Sequence, residues 1–391
     1  MSDWITAKLK EVAKVVTGKT PQTSNSEYYG GDIPFVSPAD LNEGILSETK
    51  TYLTSSGADQ VYRVPKNTVL VSCIGNLGKL AITSKEVCFN QQINGLIFDE
   101  QKIFPKYGFY FAQTLKPQLE KASSSTTLPI INKSRFSDLE IKYPPLAEQR
   151  RIASILDQAD ELRQKRQQAI EKLDQLLQAT FIDMFGDPVS NPKGWERVSA
   201  KNVLKIQGGF AFSSTDFSKS GIPVVKIGNA NKLGFSTEKF DFIIPQYPEK
   251  LTQYELRSGD LLMSLTGTVG KDDYGNITEV TDDYDLYYLN QRVAKLEVTN
   301  TLFSKNYIRY FFSQSSIKAL ITKNNRGVRQ ANISNSDLYE LDIPLPTKAQ
   351  LDKFDSFIES INETKRYSKV QLISSNKLFF ALQNQAFSGT L

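Results

Sequence analysis

Residues 71–79 read VSCIGNLGK, and residues 263–271 read MSLTGTVGK. Each stretch is a short, largely apolar run followed by two glycines and a lysine, which is the pattern of a strand that ends in a tight turn. The second stretch follows the first about 190 residues later, and a return of this kind indicates an internal repeat. We therefore expect one fold to be present twice in the chain.

Other matches follow in the same order along the two copies. Both copies open on a tryptophan, contain a short proline-bearing strand and an Asn-Gln pair, and then present two tyrosines at the same spacing. The matching pairs are Trp4 and Trp195, residues 33–36 and 222–225, residues 90–93 and 290–293, and Tyr107 with Tyr110 and Tyr307 with Tyr310. Because chance would not preserve this order, we interpret the chain as two diverged copies of one domain.

Strand patterns dominate each copy. Short β-branched or aromatic runs are broken by Gly, Asn and Pro, as at residues 68–72 (TVLVS) and 260–264 (DLLMS), and such runs predict strands. A helical stretch follows the strands of each copy. We therefore predict an α+β fold divided into a first domain, a central helix, a second domain and a C-terminal helix, over residues 1–145, 146–190, 191–345 and 346–391.

Both helical stretches have the apolar spacing of a coiled coil. Alternating three- and four-residue steps are interrupted by Arg166 in the first helix and by Lys365, Ser368 and Ser375 in the second. The first series is Ile152, Ile155, Ala159, Leu162, Ala169, Leu173 and Leu176, and the second is Phe354, Ile358, Ile361, Leu372, Phe379, Leu382 and Ala386. Since neither helix has a partner in its own copy, we predict that they pair as an antiparallel coiled coil with an internal pseudo-two-fold repeat.

The composition restricts the class of protein. The chain has 391 residues, of which 40% are hydrophobic and 23% charged, and this suits two soluble domains with connecting helices. No run of about 18 apolar residues, no signal peptide and only two cysteines are present, so we expect a cytoplasmic protein without a membrane partner. Histidine is absent, which removes the commonest general base and metal ligand. A net charge of +4 does not by itself indicate a nucleic-acid partner.

Some motifs resemble catalytic sequences without meeting their requirements. The glycines within residues 75–79 and 267–271 have two residues between them, whereas a phosphate-binding loop needs four, and Leu80 and Asp272 stand where it needs a hydroxyl. Residues 143–146 (YPPL) lack the polar and aromatic residues of an amino-methyltransferase motif. We therefore predict tight turns, a stop before the central helix, and neither a cofactor site nor a metal site.

Polar loops late in each copy suit nucleic acid. Arg pairs with guanine, Asn and Gln pair with adenine, and hydroxyls contact backbone oxygens. The candidate DNA contacts are Ser124, Thr126, Lys133 and Arg135 in the first copy and Asn325, Arg326, Arg329 and Gln330 in the second. A solvated surface loop is the alternative interpretation. Residues 90–92 and 290–292 are either base readers or buried polar groups bonded to the backbone.

Further stretches resemble one protein family. They are GKTP at 18–21 with YYGGDIPFVS at 28–37, PPLAEQRRI at 144–152, Phe181–Gly186, and AFSG at 386–389. Together with the repeat and the helices, they resemble the specificity subunit of type I restriction-modification systems over essentially the whole chain. The second copy departs from the pattern at 207–210 (QGGF), which we match to GKTP, and at 349–350 (AQ), which we match to Glu148-Gln149.

The resemblance implies a division of labour. Each domain would be a target recognition domain that reads one part of a split site on double-stranded DNA. Two modification subunits would methylate adenine with S-adenosylmethionine, and a translocating restriction subunit can join the complex. The chain itself would be neither an enzyme nor a cofactor-binding protein. On this interpretation further DNA contacts are Lys19, Thr20, Tyr28, Lys226 and Lys271, and partner contacts are Glu148, Gln149, Arg150, Phe185, Gln350 and Phe387.

The order domain, helix, domain, helix predicts that the antiparallel helices hold the two domains apart. A helix over residues 146–184 is about 58 Å long at about 1.5 Å per residue, or on the order of one and a half turns of B-DNA. The expected target is therefore two short elements separated by unread base pairs. Two other classes remain open at this point: a free-standing nucleic-acid enzyme, and a coiled-coil adaptor whose repeated domains bind protein.

Overall fold

Packing divides the chain into two compact units. A computed structural model describes residues 4–123, 128–323 and 330–391, except for the side chain of Gln330. Unit 1 comprises residues 1–167 and 370–391, and unit 2 comprises residues 168–369. Two long helices, α6 (Leu146–Phe185) and α10 (Lys348–Ser388), contribute to both units. Each unit thus combines one predicted domain with part of both predicted helical stretches.

Unit 1 is built on two sheets. Its strands are β1 (Ile5–Lys8), β2 (Ala13–Thr17), β3 (Tyr29–Val36), β4 (Ile45–Leu46), β5 (Thr51–Leu53), β6 (Arg63–Val64), β7 (Val69–Ser72), β8 (Leu80–Thr83), β9 (Val87–Phe89), β10 (Ile93–Phe98) and β11 (Glu140–Tyr143). Its shorter helices are α1 (Leu9–Val12), α2 (Ser55–Ala58), α3 (Pro105–Gln113), α4 (Lys116–Ala122) and α5 (Lys133–Ser137). One sheet has the order β2-β10-β7-β8-β4, the other has the order β5-β3-β9-β6, and β1 pairs with β11.

Unit 2 has a similar arrangement. Its strands are β12 (Glu196–Ser199), β13 (Leu204–Gly208), β14 (Phe217–Ser218), β15 (Ile222–Val225), β16 (Ala230–Asn231), β17 (Gly234–Phe235), β18 (Asp241–Ile243), β19 (Glu255–Leu256), β20 (Leu261–Ser264), β21 (Thr266–Thr268), β22 (Ile277–Glu279), β23 (Tyr287–Leu289), β24 (Val293–Val298), β25 (Gln330–Asn332) and β26 (Asp342–Leu345). Its shorter helices are α7 (Lys305–Ser313), α8 (Ser315–Thr322) and α9 (Asn335–Tyr339). The larger sheets are β13-β24-β20-β22 and β14-β18-β15-β23-β19, and β12 pairs with β26.

The strand orders confirm the repeat. The order β2-β10-β7-β8 in unit 1 corresponds to β13-β24-β20-β22 in unit 2, and β5-β3-β9-β6 corresponds to β18-β15-β23-β19. The central pair of the second sheet is parallel in both units. The first tyrosine of each predicted pair is also equivalent: the Tyr107 hydroxyl donates to the Lys142 carbonyl (2.7 Å) and the Tyr307 hydroxyl to the Pro344 carbonyl (2.8 Å). The α+β fold and its internal repeat are therefore as predicted.

Within unit 1, the first part of α6 pairs with the last part of α10. Arg151 donates to the Leu391 carbonyl (2.8 Å), and the Arg163 guanidinium lies 4.6 Å from the centroid of the Phe379 ring. The later α6 residue, Arg163, contacts Phe379 within α10, whereas the earlier one, Arg151, contacts Leu391 just beyond its end, so the two segments run antiparallel. Their apolar faces join the unit 1 core, where Leu156 and Phe379 are buried.

Within unit 2, the remaining parts of the same helices are paired in the same sense. Phe181 packs against Phe354 with ring centroids 5.8 Å apart, and Lys365 forms an ion pair with Asp174. The predicted antiparallel pairing is thus present in each unit. None of the helices within the described ranges has the length and apolar content needed to cross a bilayer.

The predicted α6 seam is partly wrong in register. Leu162 and Leu176 are 41% and 45% exposed, whereas Asp160 and Leu177 are buried. The seam accepts Asp160 because Arg163 donates two hydrogen bonds to its carboxylate (2.5 and 3.0 Å) and stacks on Phe379. The predicted α10 seam is confirmed at its buried positions Phe354, Ile358, Ile361, Phe379 and Ala386. The interruption at Ser375 also lies in that seam, because its side chain is buried and its hydroxyl donates to the Gln371 carbonyl.

Candidate nucleic-acid interface

Four connecting segments of unit 1 meet at one end of its first sheet. They are residues 17–20 after β2, 73–78 after β7, 90–92 between β9 and β10, and 128–132 before α5. Backbone hydrogen bonds join them: Lys19 N–H to the Phe89 carbonyl (3.0 Å), Cys73 N–H to the Gln92 carbonyl (2.8 Å), and Ile131 N–H to the Cys73 carbonyl (2.9 Å). We call this assembly the loop edge of unit 1.

Unit 2 builds the same loop edge from equivalent segments. They are residues 208–211, 265–270, 290–292 and 330–333. The backbone bonds recur: Phe210 N–H donates to the Leu289 carbonyl (2.8 Å), Leu265 N–H to the Arg292 carbonyl (3.0 Å), and Ile333 N–H to the Leu265 carbonyl (2.8 Å). Two copies of one backbone scaffold therefore present two different sets of side chains.

One glycine in each copy fixes the match between the two loop edges. A Cβ added at Gly18 would collide with the backbone of Phe89 and Asn90, and a Cβ added at Gly209 would collide with the equivalent backbone at Asn290. Gly18 is therefore equivalent to Gly209, and our sequence match of 18–21 with 207–210 is wrong by two residues. Lys19 corresponds to Phe210, and Thr20 corresponds to Ala211.

The turn between β9 and β10 has an internal asparagine that organises it. The Asn90 side-chain oxygen accepts the N–H of Gln92 (3.1 Å), and the Asn290 oxygen accepts the N–H of Arg292 (3.4 Å). The Asn90 and Asn290 backbone N–H groups donate to Val36 and Val225, respectively. Both asparagines thus shape the backbone, which is the structural one of the two roles considered for them.

Glutamines 91 and 291 point away from that scaffold. Both are exposed. The Thr20 hydroxyl donates to the side-chain oxygen of Gln91 (2.6 Å), so this predicted DNA contact touches a second polar side chain at the loop edge. Sequence reasoning did not separate the outward glutamine from the structural asparagine beside it, because both are amides in one strand-like run.

Several predicted DNA contacts lie at the loop edges. Lys19 is exposed and Thr20 is half-buried. Lys133 is exposed in the first turn of α5, and Arg135 donates to the Ala122 carbonyl (3.2 Å) beside the start of the polar loop. The residues of this group that lie outside the described ranges are Ser124, Thr126, Asn325, Arg326 and Arg329. The backbone of Gln330 lies in β25 opposite Thr268.

The other three predicted DNA contacts, Tyr28, Lys226 and Lys271, lie outside the segments that form the loop edges. Tyr28 is half-buried in a 3-10 turn, and its carbonyl accepts the N–H of Thr54. The Lys226 ammonium pairs with Asp241 (2.5 Å) and lies 3.6 Å from the centroid of the Phe217 ring, so its charge is compensated within unit 2. Lys271 is exposed at the turn after β21.

Gln149 has an internal role in unit 1. Its buried amide nitrogen donates to the Lys102 and Pro144 carbonyls (both 2.8 Å), and its oxygen accepts the Phe104 N–H (2.8 Å). The matched residue of the second copy, Gln350, instead accepts hydrogen bonds from Thr347 at the start of α10. Two glutamines that look equivalent in sequence therefore have different environments.

The other predicted partner contacts divide into surface and core positions. Arg150 is exposed, with its guanidinium 5.4 Å from the Phe104 ring centroid. The Arg151 guanidinium beside Glu148 holds the pKa of that carboxyl below its usual range. Phe185 is buried in the unit 2 core, and Phe387 packs against Tyr107 (5.4 Å between ring centroids) and the unit 1 core.

The thiol beneath the unit 1 loop edge is not a nucleophile at neutral pH. Burial raises the pKa of Cys73 to about 12, and the Asn94 amide that donates to its sulfur (3.2 Å) opposes this only in part. Burial likewise raises the pKa of Cys88 to about 11. Since the thiolate is the reactive form, both cysteines are structural residues.

Comparison with known proteins gives a consistent result. The family model described as the type I restriction modification DNA specificity domain matches twice, over residues 1–172 and 192–372. The MjaVIII specificity subunit of Methanocaldococcus jannaschii is 27% identical over 399 residues, covering 96% of this chain and 90% of the relative. The MjaIX specificity subunit of the same organism is 26% identical over 417 residues, covering 100% and 94%.

Solved structures show the same fold. A crystal structure of the type I restriction-modification S subunit from M. genitalium has a TM-score of 0.52 at 15% identity and covers 99% of this chain and 96% of that one. A structure described in terms of complex assembly and conformational transition of the type I system also has a TM-score of 0.52, at 18% identity, and covers 99% and 98%. The architecture is therefore shared at low sequence identity.

Proposed function

This chain belongs to the type I restriction modification DNA specificity family, and from that premise we propose that it selects the DNA sequence on which a type I restriction-modification complex acts. The observation that supports this most strongly is the double family match together with one loop edge in each unit. Two equivalent scaffolds with different side chains suit the reading of two different short sequences.

We assign one half of a split site to each loop edge. The first presents Lys19, and the second presents Phe210 at the equivalent position and Arg292 on the neighbouring turn. Cationic side chains contact phosphates and guanine, whereas apolar rings contact the thymine methyl group. The two halves of the target are therefore expected to differ in sequence.

The reactions belong to partner subunits in this proposal. Two modification subunits methylate adenine, and restriction subunits translocate and cleave DNA. This chain selects the DNA sequence, and we place the complex in the cytoplasm. We place the partner contacts on the exposed Arg150 and the half-buried Glu148 of α6 and Gln350 of α10, because Gln149, Phe185 and Phe387 already pack against the cores of their own units.

Methylation mapping tests the proposal. Cells that contain the chain with its modification subunit should methylate adenine in a motif of two short elements separated by a fixed number of unread base pairs. Cells with the modification subunit alone should not. An uninterrupted motif, or the same motif without this chain, would contradict the proposal, and failure of the assembled complex to bind any duplex would favour a protein-binding adaptor.

A further inference from the structure

We infer that Gln91 and Gln291 each contact an A·T base pair in one half of the DNA target, and that Thr20 positions Gln91 for this contact. The inference rests on the proposed function, and it goes further by naming the residues that read the DNA and the base pair that they read. It concerns two side chains for which the sequence left two roles open, base contact and a buried group bonded to the backbone.

The two turns have one backbone conformation in both units. The residue after the turn donates back to the asparagine carbonyl, Ile93 to Asn90 (3.2 Å) and Val293 to Asn290 (2.9 Å). The turn is also held from outside by the neighbouring segments, through the Cys73 and Leu265 N–H groups described above. Because the backbone is fixed at these points, the glutamine side chain starts from the same place in each unit.

Apart from the asparagine before it, the side chains near that glutamine differ between the two units. The residue after it is Gln92 in unit 1 and Arg292 in unit 2, and the facing loop has Lys19 in one and Phe210 in the other. The Gln92 oxygen accepts a hydrogen bond from the Asn90 amide (3.1 Å), so this second glutamine has a partner within the turn. Gln91 and Gln291 are thus the exposed amides that both scaffolds present at one equivalent position.

A carboxamide is suited to adenine. Its oxygen accepts from adenine N6 while its nitrogen donates to N7, and both groups lie in the major groove. A glutamine oxygen has two lone pairs, so Gln91 can accept from Thr20 and still accept from a base. The hydroxyl of Thr20 thereby orients the amide, whereas Ala211 stands at the equivalent place in unit 2 and offers no such bond.

Both loop edges also supply a cation for the DNA backbone, but from different segments. In unit 1 it is Lys19 on the facing loop, and in unit 2 it is Arg292 on the turn itself. Phosphate contacts fix the register of a protein on the duplex without reading sequence. The cation can therefore move between segments while the amide keeps its position, which is the pattern expected for a positioning charge beside a base contact.

The test maps methylation by the full complex with three variants of this chain. Gln91→Ala should relax one A·T position in one half of the motif and leave the other half unchanged, and Gln291→Ala should do the same in the other half. The loss of discrimination is expected to be on the order of 10- to 100-fold at that position. Gln101→Ala is the matched control, because Gln101 is exposed beyond the opposite end of β10 and should leave the motif unchanged.

Two further variants separate reading from folding. Gln91→Glu should shift the preference at the same position towards C·G, since a carboxylate accepts from cytosine N4. Thr20→Val should lower discrimination at that position in the parent chain and have no further effect in Gln91→Ala. A wild-type two-part motif that both glutamine variants retain would overturn this inference alone, whereas a wild-type chain without a two-part motif would overturn the proposed function as well.

Discussion

The buried amide of Gln149 should be one of the largest single side-chain contributions to the stability of unit 1. Replacement by alanine removes three hydrogen bonds of 2.8 Å and leaves the Phe104 N–H and the Lys102 and Pro144 carbonyls without their partner. Each buried polar group left unpaired costs about 1–3 kcal/mol. Three such groups would give about 3–9 kcal/mol, and because the bonds to Phe104 and Lys102 are only partly buried we expect Gln149→Ala to lower the free energy of unfolding of unit 1 by about 3–5 kcal/mol.

The chain offers its own control for this prediction. Gln350 accepts two hydrogen bonds from Thr347 at an accessible helix start, and loss of a capping interaction of this kind costs about 1 kcal/mol. Gln350→Ala should accordingly destabilise unit 2 by about 1 kcal/mol. A comparison of the two variants tests the environment of the amide rather than the general effect of shortening a glutamine.

The two tryptophans allow each unit to be followed separately. Trp4 packs against the unit 1 core, and the Trp195 indole N–H donates to the Phe185 carbonyl in unit 2. Urea titration by fluorescence in a Trp195→Phe background reports on unit 1, and the Trp4→Phe background reports on unit 2. If Gln149→Ala changed the unit 1 midpoint no more than Gln350→Ala changes that of unit 2, the assignment of Gln149 as an internal bridge would be refuted.

Three other outcomes follow from burial and geometry. Leu177→Asp should destabilise unit 2 by about 4 kcal/mol, because Leu177 is fully buried, whereas Leu176→Asp should cost less than about 1 kcal/mol; equal melting temperatures would mean that the seam is misplaced. Gly209→Ala should destabilise the unit 2 loop edge by about 1–3 kcal/mol and weaken recognition of one half of the motif. A Cβ at position 208 meets open space, so Gly208→Ala should keep wild-type stability and wild-type recognition in the same assays. The pKa of the Cys73 thiol is about 12 in the folded protein and 9.0 ordinarily, so the folded state holds this proton more tightly. Its contribution to stability is therefore present below pH 9 and is lost as the pH rises towards 12. Rapid alkylation of the native protein at pH 8, in a variant that lacks Cys88, would contradict this.

Local patterns in the sequence were sufficient to predict the repeat and the principal strands. The runs at 68–72 and 260–264 correspond to β7 (Val69–Ser72) and β20 (Leu261–Ser264), because a buried strand followed by a glycine turn depends little on distant residues. The pairing of the two long helices was also predictable, since an apolar seam without a partner requires one.

The register of α6 and the match of the two loop edges required the structure. Leu162 is apolar but exposed. Asp160 is charged but buried, because Arg163 compensates its charge and both Arg163 and Gln164 donate hydrogen bonds to its carboxylate. The stretch QGGF at 207–210 contains two glycines, and only the backbone contact at Gly209 shows which one replaces Gly18. The outward direction of Gln91 likewise depends on which amide the turn uses internally.

Unit 1 is formed by segments from both ends of the chain, and this affects the order in which the units can fold during synthesis. All residues of unit 2 precede position 370, so it can become complete while the last segment of α10 is still being translated. Unit 1 begins first but cannot cover Tyr107 and Phe111 until Phe387, which contacts both rings, has been added. We therefore expect the N-terminal unit to close last, with these two rings lacking their contact to Phe387 until then.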